Sequence, residues 1–197
     1  MKIIRKISKK FNNKGMTLVE MIATFALLGL FMVAATRVIS YTVFIYSNAK
    51  GAAQGMQVSN MIANKIVGQI ENANPANIPT VTEGGNIDSI SFTDGTGSNV
   101  VISVTPQLAD GAPIGDYINI HYEEVTEGTV KYEAVDWKFD SKAYMGYQVS
   151  GLNFSNPGDD YPDNVLTMTL AIKSDRYGEY VSTYYIKCIN VDKIEFN

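Results

Sequence analysis

The chain has 197 residues and a formal net charge of −4 at pH 7, with 46% hydrophobic and 18% charged residues. Its single cysteine, Cys188, excludes an intrachain disulfide, and its single histidine, His121, has no second one with which to build a metal site. The charge is unevenly spread: Lys2, Arg5, Lys6, Lys9, Lys10 and Lys14 make residues 1–15 strongly basic, and no acid precedes Glu20. Residues 16–197 therefore carry ten basic against twenty acidic groups, a balance that repels nucleic-acid phosphates, so no direct nucleic-acid binding is expected.

Residues 21–36 contain no charge at all. As a helix, those 16 residues rise about 24 Å, close to the roughly 30 Å hydrocarbon core of a bilayer. The basic flank orients such a segment with its amino end inside and the remainder across and out. Glu20 stands at the head of the apolar run, where a carboxylate costs up to about 2.5–3.5 kcal/mol at mid-depth and so needs a partner or a task. Gly15, without a Cβ, sits directly before the run, where a protease needs extended, accessible backbone. A cut after Gly15 would place the new amine of Met16 and the Glu20 carboxylate at i and i+4 on one helix face. Such a pair sets register more than it adds stability.

The stretch Lys14, Gly15, Met16, Thr17, Leu18, Val19, Glu20, with Gly29 inside the following apolar run, resembles the signal of type IV pilins and pseudopilins. The resemblance implies cleavage of the Gly15–Met16 bond by a prepilin peptidase, methylation of Met16, and an assembly role for Glu20. Met stands where the family more often has Phe, and the proline that many major pilins carry further along the membrane segment is missing. The missing second cysteine also departs from the disulfide-closed loop of many major pilins. Two other readings fit a basic start and an apolar core: a secretory signal cut near Val33-Ala34-Ala35, and a signal anchor that is never cut. Against the first, the helical pattern runs well past Ala35.

After the anchor, Arg37 interrupts the apolar run with a stem long enough to snorkel, and Tyr41, Phe44 and Tyr46 suit an interfacial belt. Val58, Met61, Ile62, Ile66 and Ile70 recur at helical spacing, with Lys65 and Gln69 off the stripe, until Asn72, Asn74 and Pro75 end it. A helix over 17–72 would be roughly 84 Å long, too long for a small domain to bury. Its first half must be covered by lipid and then, by the resemblance, by other subunits. Gly51 and Gly55 form G-x-x-x-G: either a close helix–helix approach in a filament or, the reading favoured here, a stretch of weak helix propensity.

Beyond Pro79 the period becomes two. Strands are expected at 90–92, 100–104, 117–122 and 129–135 (the last two as a hairpin), at 147–154 with a break near Gly151, and at 165–173 and 180–190. Asp94-Gly95-Thr96-Gly97 reads as a turn. The fold class is therefore α+β: a long N-terminal helix packed against an antiparallel β-sheet, in an element order similar to the pilin fold. The organisation is leader 1–15, membrane and filament-core helix 16–50, and an outer domain 51–197 with helix 51–73 and sheet 86–197.

No phosphate-binding glycine loop or nucleophile elbow is present, so an enzyme is not expected. His121 reads as a solvent-facing strand residue and Cys188 as a small buried hydrophobe. No cofactor is called for, with one alternative. Asp159, Asp160, Asp163 and Asn164 concentrate oxygen donors that calcium could use, and some pseudopilins hold calcium in a late loop. The same residues are what any turn wants, and their spacing is not that of an EF-hand. The expected function is a minor pilin or pseudopilin of a type IV pilus, type II secretion or DNA-uptake filament, located in the cytoplasmic membrane and then in the filament. Its partners would be the peptidase, membrane lipid and other pilin-like subunits. The alternative is a membrane-anchored adhesin, for which Trp137 and Tyr144 are candidates for an exposed aromatic patch.

Overall fold

The computed structural model describes residues 16–85, 87–107, 115–127 and 130–197. Helix α1 (Leu18–Ile70) is followed by strands β1 (Thr80–Thr82), β2 (Ser89–Thr93), β3 (Asn99–Gln107), β4 (Gly115–Tyr122), β5 (Val125–Glu127), β6 (Val130–Tyr132), β7 (Val135–Lys138), β8 (Gln148–Ser155), β9 (Val165–Ser174), β10 (Gly178–Lys187) and β11 (Glu195–Phe196). The layout is α+β, with an antiparallel-rich sheet packed on the helix. The chain divides into two compact units, 1–46 and 47–197.

In the second unit, helix residues Val58, Ile62, Ala63, Ile66 and Ile70 are fully or almost fully buried, and each lies three or four positions from the next apart from the adjacent 62–63 pair. Met61, expected on the stripe, packs at its margin, and Ala63 takes the inner position. The helix stops at Ile70 because polar groups take over its last carbonyls: the Asn72 amide donates to Gly68 O at 3.0 Å, and Asn74 N–H leaves for Thr93 O in β2.

The strands form one six-stranded sheet (β11-β1-β2-β3-β4-β7), one three-stranded sheet (β10-β9-β8) and the β5–β6 ribbon. Among the described residues the strand pairings are antiparallel except β1 with β11, and an isolated parallel bridge joins Ile87 to Leu152. Asp88 ties the two larger sheets together. Its N–H donates to Leu152 O in β8 at 2.7 Å, its Oδ2 accepts Phe154 N–H at 2.9 Å, and its Oδ1 accepts Gly84 N–H at 3.0 Å. The residue is 4% exposed.

One expected pairing is corrected. The hairpin partner of 117–122 is not 129–135: β4 pairs with β7, with Tyr122 opposite Val135 and Asn119 opposite Lys138. Val130–Tyr132 instead folds back on Val125–Glu127. The break near Gly151 exists, as a register shift in β8 between Val149 and Gly151. The Asp94 turn is also as expected: Asp94 Oδ1 accepts from the N–H groups of Thr96 and Ser98, and Gly97 takes φ +91°.

Gly51 and Gly55 require a second correction. Both are buried within an unbroken helix, facing the three-stranded sheet. A Cβ on Gly51 would meet the Tyr177 side chain at 2.5–2.8 Å, and one on Gly55 would lie 3.1 Å from Tyr180 Cβ and 3.2 Å from the Tyr147 hydroxyl. That hydroxyl donates to Gly51 O at 2.8 Å. The glycines therefore set the distance between helix and sheet. Farther along, Ser59 continues the contact through the hydroxyls of Ser182 and Tyr184.

The consequence is measurable. If the glycines were only weak points, alanine at either would stabilise the helix by about 1 kcal/mol. At Gly51 the overlap includes Tyr177 Cβ, which cannot swing away as a side-chain tip could. The overpacking cost of about 1–3 kcal/mol then exceeds the propensity gain. Gly51→Ala is expected to lose up to about 2 kcal/mol net, and Gly55→Ala to stay within about 1 kcal/mol of wild type, by urea unfolding of fragment 47–197.

In the outer unit Phe92, Tyr117, Tyr144, Tyr147 and Phe154 are buried in the core, and Tyr122, Trp137, Phe139, Tyr177, Tyr180, Tyr184 and Phe196 pack against its margin. Tyr144 is fully buried, accepts Ile118 N–H at 3.1 Å, and stacks edge-on with Tyr117. Burial pushes its phenol up to about 12. Trp137 lies under Lys65 Nζ, 4.4 Å from the ring centroid, and against Phe139. Tyr144 therefore contributes to no exposed patch, and Trp137 is partly buried against the core.

Cys188 is fully buried, as expected, and burial together with nearby Glu71 pushes its thiol up to about 11. The thiolate therefore forms only at strongly alkaline pH. At pH 8, alkylation of the native chain should be at least roughly a hundredfold slower than of the urea-unfolded chain. Equal rates would mean that β10 opens freely at its end.

Candidate processing and assembly site

The amino end of α1 is a capped helix start. Thr17 is the N-cap: its Oγ1 accepts Glu20 N–H at 3.3 Å, while Glu20 Oε2 takes Thr17 N–H at 2.8 Å and the Thr17 hydroxyl at 3.0 Å. This is a reciprocal capping box, built from Thr-x-x-Glu. It serves two ends: it satisfies helix-start N–H groups that lipid could not, and it holds the carboxylate at a fixed place on the first turn. Glu20 Oε1 has no partner among the described residues. The T-x-x-E spacing marks this box in the residues themselves, whereas charge alone points only to Met16 as the partner of Glu20.

Met16 begins the described chain and is 61% exposed. Gly15, the residue expected before the scissile bond, lies outside the described residues, as does the rest of the leader. A cut after Gly15 leaves the capping box intact, because Thr17 N–H belongs to the Met16–Thr17 peptide bond, which that cut does not touch.

From the cap onward the first unit offers a helix with an apolar surface on every side. Leu18, Phe25, Leu30, Phe31 and Ile39 are all more than 60% exposed. The most apolar 18-residue window has no buried share, and the helix is long and apolar enough to cross a membrane. Its threonines spend their hydroxyls internally: Thr24 on Met21 O, Thr36 on Met32 O and Thr42 on Val38 O, each at 2.8–2.9 Å. Such a surface needs no water. Gly29 has open space around it: a Cβ added there would have nothing within 4 Å.

The acidic loop is organised around backbone turns. Gly158 N–H donates to Asn156 Oδ1, Tyr161 N–H to Gly158 O and Val165 N–H to Pro162 O. Asn164 spends its amide on Cys188 O at 2.9 Å and its carbonyl on Cys188 N–H. Asp163 contributes its backbone carbonyl to Ile194 N–H, and the side chains of Asp159, Asp160 and Asp163 are exposed. Among the described residues, no group of three or more His, Cys, Asp or Glu is placed to hold a metal ion.

His121 is half-exposed on β4, with Nδ1 2.9 Å from Asp136 Oδ1 on β7. That hydrogen bond, helped by Asn119, holds the Asp136 carboxyl below the usual carboxylate range. The pair joins two neighbouring strands.

Comparison with known proteins bears on the amino-terminal segment alone. Residues 10–36 match the family model described as the prokaryotic N-terminal methylation motif. The match takes in Gly15, Met16, the capping box and the apolar run as far as Thr36, and leaves the outer unit unmatched. No curated protein and no solved structure matches the chain.

Proposed function

We propose that this chain, which carries the type IV pilin and pseudopilin signal at its amino end, is a structural subunit of a membrane-anchored filament, cut after Gly15 and N-methylated at Met16. The observation that supports this most is the first helical unit: apolar on all sides, exposed throughout, and headed by a single fixed carboxylate. At about 1.5–3 kcal/mol for each large apolar side chain, such a surface requires cover. Lipid provides it before assembly. Other helices of the same kind provide it afterwards, since packing of this sort needs no water to drive it.

The residues have distinct roles in this scheme. The basic leader keeps the amino end on the cytoplasmic side of the membrane, and the bond after Gly15 is presented to a prepilin peptidase. Release of the Met16 amine supplies a cation beside Glu20, so the carboxylate enters the filament core neutralised. The outer unit, carrying most of the acidic charge, faces the aqueous side and performs no chemistry. The system served is of the type IV pilus, type II secretion or DNA-uptake kind, with the chain as a minor pilin or pseudopilin.

Shearing cells that express the chain should bring it down with other pilin-like subunits in the filament fraction. Deleting the peptidase should leave the leader attached and the chain in the membrane. Recovery of the chain only in membranes when the peptidase is present would contradict the reading.

A second reading, a surface binding module, has one observation in its favour. Tyr161 and Tyr185 stack 5.4 Å apart while remaining 45% and 61% exposed. Binding of a glycan by fragment 47–197, abolished by Tyr185→Ala with assembly intact, would favour it.

A further inference from the structure

Between Leu18 and Ala49, Glu20 and Arg37 are the only charged residues, and their signs are opposite. Both side chains are exposed. Among the described residues, Glu20 uses Oε2 for the capping box and has no partner for Oε1, and Arg37 has no side-chain partner. They cannot reach each other within one helix, because 17 positions separate them by about 26 Å along the axis. Arg37 is an isolated charge in a segment otherwise suited to lipid, and an opposite charge for it must come from outside its own helix; Glu20, even beside the Met16 amine, keeps a carboxylate oxygen able to take a second cation.

We infer that Arg37 of one copy of this chain pairs with the free Oε1 of Glu20 on a second copy, so that neighbouring helices pack in parallel with a 17-residue axial offset. The planar guanidinium suits the task, since it can hold the exposed side of a carboxylate whose other oxygen is already fixed. Glu20 still has room for the Met16 amine, because one carboxylate accepts several hydrogen bonds. At 3.6 residues per turn, positions 20 and 37 face about 100° apart around the axis. The two ends of the contact therefore lie on different faces. An interface of that type is heterologous, and repetition extends it into an open helical array instead of closing a dimer. The inference rests on the filament reading above and adds its register.

The offset makes a specific prediction for cross-linking in the full chain. Thr24 and Tyr41 each lie four positions, roughly one turn, beyond Glu20 and Arg37, and both are exposed. One copy carrying Thr24→Cys and another carrying Tyr41→Cys are co-expressed and oxidised with copper phenanthroline in sheared filaments; the native Cys188 is buried and stays out of the reaction. The mixed 24–41 dimer should exceed either self-pair severalfold. Adding Arg37→Ala to the Tyr41→Cys copy should lower it by at least roughly tenfold, and Arg37→Lys should restore part of it.

A mixed yield no higher than the self-pairs, in filaments that contain the chain, overturns the pairing and leaves the filament reading standing. Equal yields for Arg37→Ala and wild type, or cross-links solely to a different subunit, also overturn it. Absence of the unmodified chain from filaments overturns both.

Discussion

Glu20→Ala is expected to be processed like wild type and to enter filaments at least roughly tenfold less well, the scale set by leaving a charge unpaired in a membrane-embedded segment. The substitution removes two things together: the negative charge, and the carboxylate half of the capping box with Thr17. Glu20→Gln separates them. Glutamine also completes a capping box, so its amide oxygen can still take Thr17 N–H, while the charge is gone. If the charge matters for assembly, Gln fails as Ala does. If only the cap matters, worth about 0.5–2 kcal/mol at a helix start, Gln restores incorporation. Quantifying each variant in sheared filaments, beside the processed and unprocessed forms in membranes, distinguishes the cases.

Asp88→Ala should be among the most damaging single changes to the outer unit outside its apolar core, at about 1.5–4 kcal/mol. The carboxylate supplies acceptors for two backbone N–H groups, Phe154 in β8 and Gly84 before β2. Alanine leaves the buried Phe154 N–H with nothing to bond, at about 1–3 kcal/mol, and removes the acceptor of the exposed Gly84 N–H, which water can partly replace, for about 0.5–1.5 kcal/mol more. It also removes the longer of the two contacts of the Asn153 amide, 3.4 Å to Asp88 Oδ2, and leaves its 3.0 Å bond to Gly85 O. Because these bonds tie the β1–β2 connection to β8, the loss falls on the junction of the two sheets. Asp88→Asn keeps one oxygen and turns an amide NH₂ toward one of the donors, so it should recover less than half. Urea unfolding of fragment 47–197 measures both variants, and a loss under about 0.5 kcal/mol for Asp88→Ala would mean that the N–H groups find water instead.

What can be read from the residues follows from the distance over which each signal acts. The helix is legible because an uncharged run followed by a three- and four-residue apolar rhythm persists for many turns. The long strands β3, β4, β9 and β10 alternate far enough to fix a period of two. Strands β1 and β11 have only three and two residues, and they pair in parallel across more than a hundred positions of chain. No local pattern marks them. The misplaced hairpin has a similar cause: Val130-Lys131-Tyr132 and Val135-Asp136-Trp137 alternate alike, and only the tertiary pairing decides which one lies beside β4.

Gly51 and Gly55 are visible as small residues, but what they face is not. Helix propensity describes a helix alone, whereas these positions answer to tyrosines roughly a hundred or more residues away. Asp88 between Ile87 and Ser89 reads as an ordinary turn acid until the strand it crosses to is known. At the candidate site the case is reversed. Thr17 and Glu20 are local, their spacing is diagnostic, and the cap can be found without coordinates. The charge of Glu20 draws the eye to a cationic partner and away from the hydrogen bonds that its own helix start offers.

Assembly in this scheme depends on the amine that appears when the Gly15–Met16 bond is cut. Mass spectrometry of the mature protein from cells that contain the peptidase tests it most directly. The predicted result is a chain that begins at Met16 and carries one methyl group on its amino nitrogen. A chain that retains residues 1–15, or one that begins after Ala35, would contradict it, because Glu20 would then have no such amine to meet.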